Sequence, residues 1–244
     1  MSRPLRVCVQ PLREGEVALA TGAARYVTRV HRLRAGATFV AFDPELGQEA
    51  DAKLLPTRGR RVRVVLSRLR PARLRSPFRV TLACAMGKGD KPDRVVRDAT
   101  ALGVSELILA VTERSVVRPG ERGRSRRERW RKIAVEAARQ CGRGDVPLID
   151  GPVSFRDALA QLADRPGLKL CLVAGAELSV RQALAGHDPE TGITLLVGPE
   201  GGFADGELAE AEEAGFEATS IGPFVLRTET AVTAALGAVV GWLG

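Results

Sequence analysis

Several residue types are scarce in this chain. Its 244 residues include no asparagine, five lysines, two histidines and 4% aromatic residues. No run of about eighteen apolar residues occurs, which argues against a membrane-spanning helix, and the first residues, MSRPLRVCVQ, lack the long apolar core of a signal peptide. We therefore expect a soluble, cytoplasmic protein. Its length and its 45% hydrophobic residues allow one large or two small buried cores, and we expect two.

Closely spaced metal ligands are also missing. The cysteines lie far apart, without C-x-x-C spacing, at Cys8, Cys84, Cys141 and Cys171. Only His31 and His187 could complement them, whereas zinc sites need clustered cysteine and histidine ligands. The sequence therefore predicts no metal site, and separate thiols suit a reducing compartment.

Two common nucleotide-binding motifs are absent. The segment GKGDKPD at Gly87–Asp93 has neither the spacing nor the hydroxyl residue of a G-x-x-x-x-G-K-[ST] loop. No G-x-G-x-x-G loop follows an early strand, as it would in a dinucleotide-binding or conventional methyltransferase fold. The glycine-containing loops of this chain occur late in the sequence instead.

Positive charge is concentrated in the first part of the chain. Residues 1–79 carry a net charge of +11 and residues 80–150 of +5, whereas residues 151–244 carry −8. A basic region of this kind predicts binding of a polyanion such as RNA, mainly by the first part. The alternative is an arginine-rich solvated surface that reflects genome composition, but a uniform bias would not spare the last third.

Short apolar segments separated by turns predict a small β-barrel in residues 1–76. The predicted strands are Leu5–Val9, Ala37–Phe42, Ala50–Leu55 and Arg61–Leu69, with a helical piece at Ala23–Leu33. Because aromatic residues are few there, phosphate contact is favoured over base stacking. The arginines expected on exposed faces are Arg25, Arg29, Arg32, Arg34, Arg58, Arg60, Arg61 and Arg63.

Alternating strands and helices from Phe78 onward predict an α/β domain with a mainly parallel sheet over residues 77–244. The predicted strands are Val80–Met86, Glu106–Val111, Val146–Ile149, Leu168–Ala174 and Ile193–Val197. The predicted helices are Lys91–Leu102, Ser125–Cys141, Phe155–Leu162 with Ser154 as its cap, and a short helix capped by Ser179.

The stretch Leu195–Ala231 holds two glycine-containing turns, GPEGG at Gly198–Gly202 and IGP at Ile221–Pro223. Each turn follows a short apolar run, and between them Asp205 is a candidate cap for a helix that Gly215 ends. Strand ends in open α/β sheets are where ligands bind. We therefore expect the two turns to lie side by side and to form a ligand site.

The combination of GPEGG with I-G-P-x-x-L-R-T-E-T-A resembles the SPOUT methyltransferases, and most closely the ribosomal RNA small-subunit methyltransferase E family. The resemblance covers essentially the whole chain. Further matching motifs are Arg32 with Gly36, Lys91, Leu102–Val104, Glu113–Ser115, and Trp130, Lys132, Glu136 and Gln140–Arg143. Three positions depart from the family pattern: Phe224 replaces an arginine or similar polar residue, Ala101 a frequent glutamate, and Asp98 a common lysine.

The resemblance implies a C-terminal α/β domain with a trefoil knot, an N-terminal PUA-like barrel, and a homodimer that binds ribosomal RNA or the small ribosomal subunit. It implies S-adenosylmethionine (SAM) as cofactor and Arg32 and Lys91 as RNA contacts, beside Arg25, Arg29 and Arg34. The implied cofactor residues are Leu172, Val173, Ala174, Gly175, Val197, Gly198, Pro199, Gly201, Gly202, Ile221, Gly222, Val225, Leu226, Thr230 and Ala231.

The implied reaction is methylation of N3 of a uridine, which must lose its N3 proton. We expect Arg227 to stabilise negative charge on the base or to hold a phosphate, and Glu229 or Glu200 to accept the proton or to orient another group. An ion pair between Arg227 and Glu229 at a helix start is the structural alternative. Two other functions remain open: ribose 2′-O-methylation of ribosomal or transfer RNA, and a non-catalytic RNA-binding role in ribosome assembly.

Overall fold

The computed structural model describes residues 4–56, 61–115 and 123–244. These residues form two units, one from the described part of Met1–Arg75 with Val135–Val146 and the other from Ser76–Ala134 with Pro147–Gly244. No helix in the described ranges is long and apolar enough to cross a membrane. The same ranges contain no cluster of three or more histidine, cysteine, aspartate or glutamate side chains suited to a metal ion.

The first unit contains a five-stranded sheet of order β1-β3-β4-β5-β2. Its strands are β1 Arg6–Cys8, β2 Gly15–Ala18, β3 Thr38–Asp43, β4 Gln48–Leu54 and β5 Arg63–Pro71. Only the β1–β3 pair is parallel in this sheet; the other pairs are antiparallel. The sequence predicted four of these strands but missed β2, in which a single residue, Val17, is buried. The barrel assignment remains a prediction.

A short helical segment and the residues that follow it carry the N-terminal arginines predicted to contact RNA. Helix α1, Thr21–Arg25, continues into a π-helical turn at Tyr26–Val30, so the helical piece begins and ends earlier than predicted. The side chains of Arg25, Arg29, Arg32 and Arg34 are all exposed. Of the other predicted surface arginines, Arg61 and Arg63 are exposed, whereas Arg58 and Arg60 lie outside the described residues.

The second unit is built on a six-stranded, wholly parallel sheet of order β11-β9-β10-β6-β7-β8. The strands are β6 Val80–Ala85, β7 Glu106–Val111, β8 Leu148–Ser154, β9 Leu168–Leu172, β10 Ile193–Val197 and β11 Glu217–Thr219. The central strands β6 and β10 are buried along their entire length, as expected for a sheet covered on both faces.

Helices connect these strands and begin or end largely where the sequence predicts. They are α2 Lys91–Ala101, α3 Gly123–Cys141, α4 Phe155–Leu162, α5 Val180–Leu184, α6 Asp205–Glu213 and α7 Thr228–Leu243. Ser154 and Ser179 cap α4 and α5 through their side chains, as predicted. Asp205 is the first residue of α6 rather than its cap, and Gly215 follows that helix with a φ of +84°.

Candidate functional site

A cavity of about 330 Å³ opens at the carboxyl ends of β9, β10 and β11. The two glycine turns predicted to form a ligand site both reach it, but they do not leave neighbouring strands. Strand β9 lies between β10 and β11 in the sheet. The residues at its carboxyl end, Leu172–Ala174, line the cavity together with the two turns. Three loops therefore line the cavity, at the edge of the sheet where α/β folds bind ligands.

Thirteen of the fifteen residues predicted to bind the cofactor line this cavity, and Gly175 and Thr230 are not in the lining. The assignment of all fifteen to cofactor binding remains a prediction. The structure adds lining residues that the sequence interpretation did not assign to the cofactor: Glu200, Phe203, Leu208, Thr219, Phe224 and Thr228. Leu208 and Thr219 lie outside the glycine motifs, so the sequence interpretation did not mark them.

Glycine is required at particular points of the cavity wall. A Cβ at Gly198 would lie 3.0 Å from the Phe203 ring, closer than an ordinary contact. Gly202 has a φ of +71° and Gly222 a φ of +149°, conformations that L side chains rarely adopt. These positions bring bare backbone to the cavity wall, so a ligand can approach the chain closely there.

A hydrogen bond joins two of the three loops. The hydroxyl of Thr228, which is buried, donates to the carbonyl oxygen of Gly198 over 3.0 Å. This bond connects the first residue of α7 to the GPEGG turn, so the start of α7 is fixed relative to the cavity. Removing it would leave a backbone acceptor without its partner.

The segment Glu113–Ser115, which the sequence marked only as a family-like motif, supports the GPEGG turn from outside. Arg114 Nη1 donates a 2.7 Å hydrogen bond to the carbonyl oxygen of Gly201. The buried carboxylate of Glu207 accepts hydrogen bonds from the backbone N–H groups of Glu113, at 2.8 Å, and Ala204, at 3.0 Å. Arg114 thus contacts the turn directly, and Glu207 joins the segment of Arg114 to the start of α6.

Glu200 and Lys91, a predicted proton acceptor and a predicted RNA contact, lie together. Lys91 Nζ donates a hydrogen bond to Glu200 Oε1. This bond lowers the pKa of Glu200 below its ordinary value, with smaller contributions from the backbone N–H groups of Glu200 and Thr228. Because a lower pKa means weaker basicity, Glu200 is ionised at neutral pH and is a poor acceptor for a proton.

Glu229, the other predicted proton acceptor, is at the second position of α7 and is partly buried. Its Oε2 is buried and has no hydrogen-bond partner among the described residues. Because buried carboxyl oxygens are normally hydrogen-bonded, Glu229 Oε2 is able to accept a hydrogen bond that the described residues do not supply. Glu200 lines the cavity, whereas Glu229 lies directly after the lining residue Thr228.

Cys84 lies at the same edge of the sheet, paired in register with Val197 of the cavity wall. The pKa of the Cys84 thiol is raised to about 12, mainly by burial and to a smaller extent by the nearby carboxylates of Glu200 and Glu229. The sulfur is therefore a neutral thiol at physiological pH.

Arg227 precedes α7 and has an exposed side chain. Within the described part of the chain, its guanidinium makes no hydrogen bond and no ion pair. The alternative expectation of an Arg227–Glu229 ion pair is therefore wrong for the described structure. A cation without a protein partner, next to the lining residues Leu226 and Thr228, is available to an anionic group of a ligand.

The cavity suits a ligand with a flat, apolar face and hydrogen-bonding edges. Its side-chain lining is mostly aliphatic, and its four glycines, Gly198, Gly201, Gly202 and Gly222, allow close contact with the backbone. Those are the contacts that the adenine of SAM requires, and the volume lies in the range of small-molecule sites. The residues present therefore fit the cofactor that the resemblance implies.

Comparison with known proteins identifies RNA methyltransferases as relatives of this chain. Residues 74–240 match the model of the RNA methyltransferase domain family. A ribosomal RNA small subunit methyltransferase E from Synechocystis is 30% identical over 249 residues, covering 98% of this chain and 77% of that protein. The Bacillus subtilis protein of the same name is 35% identical over 171 residues, which cover 67% of this chain and 66% of that protein.

Two solved structures resemble this chain over almost its whole length. A methyltransferase from Legionella pneumophila, in complex with bound SAM, superposes with a TM-score of 0.86 at 29% identity and covers 98% of this chain and 97% of its own. A ribosomal RNA small subunit methyltransferase E from Neisseria gonorrhoeae, bound to SAM, gives 0.85 at 29% identity, with 97% coverage of both chains.

Proposed function

The chain belongs to the RNA methyltransferase domain family, and within it to the ribosomal RNA small subunit methyltransferase E group, and from this premise we propose its reaction. It transfers a methyl group from SAM to N3 of a specific uridine in small-subunit ribosomal RNA. The proposal rests on the cavity at the carboxyl ends of β9, β10 and β11. This cavity is lined by residues from the loops that follow all three strands. Two relatives of near-complete coverage hold SAM in their structures.

We assign Leu172–Ala174, Val197–Pro199, Gly201, Gly202, Ile221, Gly222, Val225, Leu226 and Ala231 to binding of SAM; Gly175 and Thr230 belong to the same predicted set. When bound, the cofactor supplies an electrophilic methyl group on a sulfonium. The chain's own contribution is to hold the acceptor nitrogen in line with that methyl group and to exclude water. The Thr228–Gly198 hydrogen bond serves this purpose by fixing the start of α7 at the cavity.

Arg227 and Glu229 are the proposed catalytic residues. The guanidinium of Arg227 stabilises the negative charge that develops on the base oxygens as the N3 proton leaves. Glu229 accepts that proton through its unpartnered Oε2, in preference to Glu200, whose pKa is lowered by Lys91. Glu200 then has an orienting role and holds Lys91 at the edge of the cavity.

Replacing Glu229 and Glu200 separately tests whether the first accepts the proton and the second only orients Lys91. We expect Glu229→Gln to lower the single-turnover rate about 100-fold, because general-base catalysis contributes at least that factor, and to leave the affinity for SAM unchanged. Glu200→Gln is the matched control and should change the rate by less than about tenfold. A Glu229→Gln enzyme with the wild-type rate would contradict the assignment, and a larger loss in Glu200→Gln would reverse it.

The finer architecture is also part of the proposal. The first unit is a PUA-like barrel that grips RNA phosphates through Arg25, Arg29, Arg32 and Arg34, assisted by Lys91 in the second unit. The second unit is a SPOUT domain with a trefoil knot. The protein works in the cytoplasm as a homodimer, and α7 supports this because Ala234 is half-buried and Ala238 and Gly241 are exposed, which allows a second helix to approach closely.

Mass-spectrometric mapping of small-subunit ribosomal RNA tests the function. RNA from a strain that lacks this protein should lack one N3-methyluridine, and purified protein with SAM should restore it on small subunits from that strain. Loss of a ribose methyl group instead would identify a 2′-O-methyltransferase. An unchanged modification pattern, with no binding of SAM at millimolar concentration in calorimetry, would favour a non-catalytic assembly factor.

A further inference from the structure

Phe224 is the most exposed large apolar side chain in the described part of the chain, at 77%. All ten aromatic residues of the sequence are described, and Phe224 is the only one of them that is classed as exposed. Five of the other six phenylalanines are buried and Phe78 is half-buried. Its neighbour Val225 is 76% exposed. A protein with so few aromatic residues leaves one ring open to solvent, and that ring lies beside the candidate active site.

Both Phe224 and Val225 line the cavity. They belong to the loop between β11 and α7, which is anchored at both ends. At its start, Ser220 accepts a 2.9 Å backbone hydrogen bond from Val180 and donates a 2.8 Å bond to Leu178. At its end, Thr228 is bonded to Gly198. The loop that carries the ring is therefore held at both ends beside the cavity.

We propose that the ring of Phe224 stacks on the target base and holds it over the cavity for methyl transfer. The inference rests on the proposed function, in which the acceptor is a planar base that must approach the methyl donor from the cavity mouth. Phenylalanine has no hydrogen-bonding group, so it offers an apolar face on which a planar base can stack, and it has no group that could bind a phosphate. Arg227, three residues further on, supplies the positive charge beside it.

This role is specific to the residue in this chain. At the same position the resembling family usually has arginine or a similar polar residue. An aromatic face takes any base without reading its identity, because every base has a π-face. Recognition of the uridine edge must then come from other groups of the site, whereas Phe224 determines how well the base is held.

The first measurement compares variants of the full-length protein on small subunits from the deletion strain. Phe224→Leu keeps an apolar side chain without the aromatic face and should raise the KM for the subunit about tenfold, since stacking on one aromatic side chain gives effects of this order. Phe224→Tyr should retain the wild-type KM. Affinity for SAM, measured by calorimetry, should stay within about twofold in both variants.

The second measurement identifies the base as the partner. The probes are an oligoribonucleotide that spans the mapped uridine and the same oligoribonucleotide with an abasic residue at that position. Wild-type protein should bind the abasic probe about tenfold more weakly, whereas the difference between the two probes should be clearly smaller for Phe224→Leu, in which only the contacts with the uridine edge remain. Equal discrimination by wild type and variant would overturn the inference.

Other outcomes also overturn it. A tenfold loss of SAM affinity in Phe224→Leu would place the ring on the cofactor. A shift towards monomer in light scattering, with an unchanged KM for the subunit, would place it against a second copy of the chain. Methyl transfer by the wild-type protein is measured first. If the wild-type protein transfers no methyl group, the proposed function itself is refuted and not only the stacking role of Phe224.

Discussion

Arg227→Ala should bind SAM with wild-type affinity and lose methyl transfer. We expect the single-turnover rate to fall between about 100-fold and 1,000-fold, as when one donor to a developing negative charge is removed from other enzymes. The cofactor affinity should persist because Arg227 does not line the cavity and its exposed guanidinium bonds to no described residue. Quenched single-turnover reactions on small subunits from the deletion strain give the rate of methyl transfer, and calorimetry gives the affinity for SAM.

Arg79→Ala is the matched control for this experiment. Arg79 is also exposed, but it directly precedes β6 and therefore lies at the amino edge of the sheet, opposite the cavity. Its replacement removes the same charge and should leave the rate within about twofold of wild type. Wild-type turnover in Arg227→Ala would show that Arg227 takes no part in the reaction. An equal loss of rate in both variants would show that Arg227 acts only through the net charge of the protein.

Gly198→Val should abolish cofactor binding. Even a Cβ at this position would lie 3.0 Å from the Phe203 ring. The two further methyl groups of valine would need space that the cavity wall does not offer there. Overpacking of this kind costs about 1–3 kcal/mol before the cavity itself is obstructed. We therefore expect the Kd for SAM in calorimetry to rise about 100-fold or more, with methylation at limiting SAM falling in proportion.

A valine at Gly206 provides the comparison. Gly206 is the second residue of α6, and a Cβ there meets no atom within 4 Å. Gly206→Val should bind SAM as wild type does, with melting temperatures checked for both variants so that unfolding is separated from obstruction. If Gly198→Val kept its SAM affinity while folded, the cofactor would have to bind away from the GPEGG turn.

Local patterns predicted the second unit well because its strands are short apolar runs bounded by glycine, proline and cap residues. Strands β7 and β10 have the predicted bounds, and Ser154 and Ser179 cap their helices. The prediction was wrong for β8, which was expected to stop at Ile149 and continues to Ser154. A Gly151–Pro152 pair indicated a break there, but an edge strand tolerates proline.

The site could be predicted only where its residues form a continuous motif. The GPEGG and IGP turns are such motifs, and both reach the cavity. The position of β9 between their strands depends on sheet order, which local sequence does not encode. The contacts of Arg114 and Glu207 with the turn region join residues that are far apart in the sequence, so only the folded chain reveals them.

The thiol of Cys84 has a further consequence for an enzyme of this kind. A sulfonium methyl donor reacts with any strong nucleophile nearby, and a thiolate is a stronger one than a uridine nitrogen. The buried sulfur stays protonated because its pKa is about 12, raised first by burial and then by Glu200 and Glu229. Burial is thus the main protection of this thiol against methylation, and the two carboxylates of the proposed catalytic site add to it.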